Sequence, residues 1–225
     1  MLVEAYVDQL DTALAAERNG AGRLELCGPG EGGLTPSPEL LAAVLATVRV
    51  PVHVMVRPRT GDFVYTDAEF AQMRDAVVMI RSAGAAGVVI GISNRDGTLD
   101  LPRMRELIAL ARPLRIGVHR AFDRTPDADV ALDQLIALGV EVVLAAGHAS
   151  TAEEGIGTLA RLVQRAAGRT VIMPGGGVRA HNVRAIIDRT GCSAVHARAS
   201  DPKVFAELAL AVSSKSFTSP PQGPS

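Results

Sequence analysis

The sequence predicts an α/β fold, a closed (β/α)8 TIM barrel, and three observations lead there. Short runs rich in Val, Ile and Leu alternate with longer segments of helical period, many of them alanine-rich, and the alternation repeats eight times along the 225 residues. The short runs are apolar almost throughout, as strands of a parallel sheet covered on both faces are, and parallel strands need helical crossovers. The competing doubly wound open sheet would carry a GxGxxG turn after its first strand, which this chain lacks.

Taken in order, "LVEAYV" (2–7) precedes the helical segment 8–20, and "RLELC" (23–27) precedes 36–48. "VPVHVMV" (50–56) is followed by 66–84, "AGVVIGI" (86–92) by 99–111, and "LRIGVH" (114–119) by 127–139. "VEVVLAA" (140–146) leads to 150–168, "TVIMP" (170–174) to 179–191, and "SAVHA" (193–197) to 201–214. Five of these helical segments run into a glycine, as in "ERNGA" and "DRTGC", which suits a left-handed helix terminus. Asp67, Asp100 and Asp127 stand where an N-cap or first-turn acid belongs. One domain is expected over 1–213. The last stretch, 214–225, loses periodicity and gathers Ser, Pro and Gly, and reads as a flexible tail.

Composition excludes several functions. The net charge is −1, with acids and bases interspersed, so no basic stripe marks a nucleic-acid partner. No apolar run approaches a membrane span and the N-terminus is unlike a signal peptide, so the expectation is a cytoplasmic protein with no membrane partner. Cys27 and Cys192 form no CxxC pair, which speaks against a disulfide framework or a structural zinc site. Among the 23 Lys and Arg residues only Lys203 and Lys215 are lysines, both near the end of the chain. Imine chemistry, which needs a desolvated lysine in the site, is disfavoured.

Polar residues gather where the strands end, the rim at which barrel active sites lie. Glu4 stands in the first run, Glu25 and Cys27 in the second, and His53 in the third, which continues into Arg57, Arg59 and Asp62. The fifth ends in His119, Arg120 and Asp123, and the eighth carries His196 and then Arg198. Alternation puts Glu25 with Cys27, and His53 with Met55 and Arg57, on the inward faces. Unpaired charge is costly there, so Glu25, His53 and Arg57 are expected to pair with one another. "PGGGVRAHN" (174–182) places Gly175, Gly176 and Gly177 between a strand and a helix, where free N–H groups can approach an anion.

The motifs "ALAAERNGAGRLELC", "EGGLTPS", "PVHVMVRPRTGDFVY", "HRAFD" and "MPGGGV" resemble those of the CutC family, named as copper homeostasis proteins, in order and spacing to about residue 201. The resemblance implies a (β/α)8 barrel, cytoplasmic location, a homo-oligomer (dimer or tetramer) and copper handling, without a known reaction. Two departures stand out. Tyr6 occupies the first strand where the family pattern has a cysteine, and "AAGHAS" replaces a "TSGG"-like segment.

Two readings follow. In the first the protein binds copper(I), with Cys27 the metal ligand, because Cu(I) favours sulfur. In the second it is an enzyme acting on a small anionic metabolite, phosphorylated ones included, with no cofactor assigned and a divalent metal compatible. There Arg57, Arg59, Arg120 and Gly175–Gly177 hold the anion, with Glu4, Asp62 and His196 beside it. His53 and His119 are the acid–base candidates, and Glu25 and Asp123 orient them. Lyase, isomerase and hydrolase chemistry all fit that second reading.

Overall fold

The computed structural model describes residues 1–213, so the tail expected over 214–225 lies outside the described residues. Strands and helices alternate as β1 (Leu2–Val7), α1 (Leu10–Arg18), β2 (Arg23–Leu26), α2 (Pro38–Thr47), β3 (Val52–Met55), α3 (Asp67–Ser82), β4 (Gly87–Ile90) and α4 (Leu101–Ala111). They continue as β5 (Arg115–Val118), α5 (Ala128–Ala137), β6 (Val142–Ala145), α6 (Ile156–Ala166), β7 (Val171–Pro174), α7 (Val183–Thr190), β8 (Ala194–Arg198) and α8 (Pro202–Ser213). A short 3-10 turn, Phe122–Arg124, follows β5. All strand pairs are parallel, and β1 pairs with both β2 and β8. The order runs β7-β6-β5-β4-β3-β2-β1-β8, leaving one seam between β7 and β8 without a registered ladder among the described residues. The expected (β/α)8 barrel is therefore present and nearly closed.

Local chemistry sets the helix ends. Ser37 caps α2 ahead of Pro38, and Thr66 and Glu69 form a reciprocal capping box on α3. Asp100 and Asp127 cap α4 and α5 as expected, while Asp67 is a first-turn acid of α3. The glycines that end five helical segments, Gly20, Gly84, Gly139, Gly168 and Gly191, all have positive φ.

The main core lies outside the strands, against the helices. Leu24, Leu26, Val54, Val88, Ile90, Ile116 and Val143 are buried there with Phe205, Leu159 and Met104. Each such side chain contributes about 1.5–3 kcal/mol of burial. Inside the barrel the described residues form two small apolar clusters, Tyr6–Cys27–Met55–Val89 and Val142–Leu144–Met173–Ala194. The rest of the interior is polar, with Glu4, Arg23, Glu25, His53 and His119 all buried.

Candidate functional site

The polar interior is built by the register of β8, β1, β2 and β3. Glu4 stands opposite Arg23 on one side and His196 on the other. Arg23 Nε donates to Glu4 Oε2, and its Nη2 approaches Met173 Sδ at 3.4 Å. Glu4 Oε1 lies 2.9 Å from His196 Nδ1. His196 Nε2 then faces Glu25 Oε2 at 3.8 Å, and Cys27 Sγ lies 3.9 Å from the same oxygen. The result is a chain of Arg23, Glu4, His196 and Glu25 across three adjacent strands.

The two carboxyls are pushed in opposite directions. Burial alone would raise Glu4, but the hydrogen bond and charge of His196, with Arg23 beside it, hold it at about 2. Glu25 is raised to about 7, first by burial and also by the charge of Glu4, against the pull of His196 and Arg23. Burial would lower His196, yet Glu25 and Glu4 together raise it. Glu25 and His196 thus compete for one proton while Glu4 stays ionised and fixes His196 Nδ1.

Above this chain lies a cavity of about 760 Å³ at the carboxyl ends of the strands. Glu25 and His196 reach it from below, and Arg57, Arg120, Arg124, Arg179 and Arg198 line its walls with Phe63, His119, Gly176 and Gly177. The carboxylates on the lining are Glu25, Glu31 and Asp62, and Asp62 is paired with Arg59 at 2.8 Å. The cavity is therefore electropositive.

Arg57 is buried, and its terminal nitrogens donate to the carbonyls of Glu31 (3.0 Å), Gly33 (3.4 Å) and Gly61 (3.0 Å). Its side chain also acts on the buried Tyr65 phenol, by charge and by a hydrogen bond, against the rise that burial causes there. His119 is buried too, and its Nδ1 accepts the Ala121 N–H at 3.1 Å while its Nε2 has no partner. Burial, then the Arg57 charge, push His119 down to about 3. Space for the ring comes from Gly91, where a Cβ would collide with it.

The remaining expected residues sit elsewhere. His53 is buried below the cavity and outside its lining, pushed down to about 4 by burial and Arg23. Gly87 makes room for it, since a Cβ there would stand 2.7 Å from its ring. The pairing expected among Glu25, His53 and Arg57 is corrected: Glu25 turns toward β8, where His196 stands, and Arg57 is taken up by loop carbonyls. Arg59 does not line the cavity. It ties its own loop to α3 through Glu69 (2.6 Å), Asp62 and the Val64 carbonyl. Asp123 accepts from Arg120 (2.8 Å) and from the Ala146 and His148 N–H groups, so it anchors the loop after β6. Of the three loop glycines, Gly176 and Gly177 line the cavity and Gly175 does not; a Cβ on Gly175 would meet Leu144 and crowd His196.

Sequence reasoning missed Arg23, Arg124 and Arg179. Arg23 was detectable, because it lies two residues before Glu25 and shares its face. Arg124 and Arg179 lie beyond strand ends, where no periodicity points inward.

Among the described residues the buried donor atoms do not form an open metal site. Glu4, Glu25 and His196 each offer an atom within 4.8 Å of the others. Both Glu4 oxygens are already occupied, and Arg23 supplies the positive charge a cation would bring. The set is a closed ion network rather than an open coordination shell. Cys27 is fully buried, and burial and then Glu25 push its thiol well above its ordinary value, which opposes the thiolate a metal requires. Cys192 is buried on the outer side of the barrel wall, in the main core, and cannot join it.

Fold and site define a (β/α)8 barrel with an ionised interior beneath an arginine-lined mouth. The chain matches the CutC family model over residues 1–201 and belongs to that family. It is 43% identical over 199 residues to the copper homeostasis protein cutC homolog of Homo sapiens, an alignment spanning 88% of this chain and 73% of the human protein. A CutC family protein of Klebsiella pneumoniae is 47% identical over 200 residues, 88% of this chain and 80% of its own length. The crystal structure of a copper homeostasis protein CutC from Streptococcus agalactiae superimposes with a TM-score of 0.83 at 31% identity, covering 87% of this chain and 97% of that one. Among the described residues no helix is long and apolar enough to cross a membrane.

Proposed function

We propose that this CutC-family barrel binds a small anionic metabolite in its mouth and moves a proton on it. The observation that carries the reading is the placing of Glu25 Oε2 and His196 Nε2 3.8 Å apart at the base of an electropositive cavity. Proton-transfer groups work best with affinities near the ambient pH, and Glu25 at about 7 meets that condition. Ionised Glu4 keeps the proton on His196 Nδ1, so Nε2 is the nitrogen that exchanges protons with Glu25 or the ligand. The cavity arginines hold the anion's charge.

The test is thermal unfolding of the purified protein against phosphorylated and carboxylated metabolites. A ligand at one hundred times its dissociation constant stabilises by about 2.7 kcal/mol, and Arg198→Ala is expected to erase that shift. With the ligand found, Glu25→Gln is expected to bind it and to lose turnover about 10²–10⁴-fold. Failure of every anion to stabilise would remove the reading.

Copper binding is a second reading, suggested by the relatives' names and favoured by one observation, the packing of Cys27 with Met55 in one small cluster. Sulfur pairs suit Cu(I), although the raised thiol and the distant Cys192 leave Cys27 without a second thiolate. Anaerobic Cu(I) titration separates the readings: stoichiometric binding abolished by Cys27→Ser supports copper.

A further inference from the structure

We propose that the cavity takes a short-chain metabolite with an anionic group, carboxylate or phosphate, at each end, Arg198 holding one end and Arg124 the other. Five arginines line the cavity, and three of them are occupied. Arg57 donates to the carbonyls of Glu31 and Gly61, Arg120 to Asp123 and the Ala149 carbonyl, and Arg179 to the Val178 carbonyl. The side chains of Arg124 and Arg198 have neither a hydrogen bond nor an ion pair among the described residues, and both residues are exposed. Each guanidinium is laid on an aromatic ring of the cavity wall, Arg198 over Tyr6 with Cζ 4.3 Å from the centroid and Arg124 over Phe63 at 5.0 Å. A guanidinium on a ring is held by its face, which leaves its edge of N–H donors available to a carboxylate or phosphate. Nearby acids do not take that edge. Asp62 feels the Arg124 charge but is held by Arg59 at 2.8 Å, and Asp8 and Glu25, which act on Tyr6 together with Arg198, lie beyond ion-pair distance of it.

Strand order puts the two arginines on opposite sides of the rim. Arg198 ends β8 and lies over a residue of β1. Arg124 follows β5 and lies over a residue of the loop after β3, and its carbonyl borders Gly97 in the loop after β4, so it stands on the β4 side. From β8 through β1, β2 and β3 to β4 is half of the eight-stranded ring. Glu25, on β2, stands midway between the two ends at the base of the cavity. The loop after β7 borders β8, since a Cβ on Gly175 would stand 3.3 Å from that of His196. Gly176, Gly177 and Arg179 therefore flank Arg198, which makes that end the stronger. This assignment rests on the cavity being an anion site and adds the length and charge of its occupant.

The experiment is titration calorimetry of the full chain with alkane bisphosphonates and dicarboxylates of graded chain length, each against the monoacid of equal length. Linking two groups raises affinity only where the linker matches the span between their sites, so the advantage of the diacid is expected to peak at one length, at about tenfold or more. Arg124→Ala should bring that diacid down to the affinity of its monoacid and leave the monoacid unchanged, which also shows the variant to be folded. Arg198→Ala should weaken both. A diacid no tighter than its monoacid at any length would overturn the two-ended assignment and keep the anion cavity. So would an advantage that Arg124→Ala leaves in place. If none of these anions binds, the anion cavity falls and this assignment with it.

Discussion

The two halves of the barrel wall are built from opposite materials. From β8 through β3 the inward side chains include His196, Glu4, Arg23, Glu25 and His53; from β4 through β7 they include Gly87, Val89, Gly117, Val142, Leu144 and Met173. Charge is sustained on the first half because each ionised group has a partner one strand away, Arg23 against Glu4 and Glu4 against His196. The second half supplies low polarity and, through its glycines, room for the His53 and His119 rings. Neither half would make the site alone. The contrast between them raises Glu25 while Glu4, one strand over, remains ionised.

The largest break in this contrast is the loss of one partner on the charged side. Glu4→Gln leaves Arg23 buried without its counter-charge and is expected to cost about 3–5 kcal/mol in urea unfolding. Leu144→Ala on the apolar side is expected to cost about 2 kcal/mol, at the low end for a leucine truncation because the cavity already borders that side chain. Equal losses at the two sites would show that the charged network adds nothing specific.

The pH dependence sharpens the comparison next. Glu4, depressed to about 2, contributes stability that is present above about 4.5 and is lost as the pH falls toward 2. Glu25, raised to about 7, does the reverse: its contribution is complete below about 4.5 and is lost as the pH rises through 7. His53 and His119, depressed to about 4 and about 3, add stability as the pH rises toward 6.5 and oppose the Glu25 contribution, so Glu25 is read as a difference: Glu25→Gln should gain stability relative to the wild type as the pH rises from 4.5 to 7 while keeping the acid limb. Denaturant midpoints measured across pH 2–9 check both signs.

A smaller effect belongs to the glycine side. Gly91→Ala places a methyl group against the His119 ring and is expected to cost about 1–3 kcal/mol through overpacking. Smallest of all is a pair outside the barrel. The Arg74–Glu106 ion pair is half exposed on both sides, and Arg74→Ala is expected to change stability by less than about 1 kcal/mol, vanishing in high salt.

Much of this was legible in the sequence, for a physical reason. Eight alternations of strand-like and helix-like period leave few topologies, and period-two alternation placed Glu25, Cys27, His53 and Met55 on the inner face, where they are. Which inner residues meet was not legible. Parallel register joins Glu4 to residues 19 and 192 positions away, and nothing local encodes it. Arg57 and Arg59 looked alike in "RPRTGD", yet one enters the cavity wall and the other clasps its own loop. His119 illustrates a further limit, since its tautomer depends on one backbone N–H two residues away.

The most direct test of the charged interior is a ¹³C NMR titration of the glutamate carboxyls, with Glu25→Gln providing the assignment. The Glu25 resonance is expected to titrate at about 7 while Glu4 stays ionised down to about 2. A Glu25 resonance titrating in the ordinary range of about 4.3 would contradict it, and with it the proton-sharing pair beneath the arginine mouth.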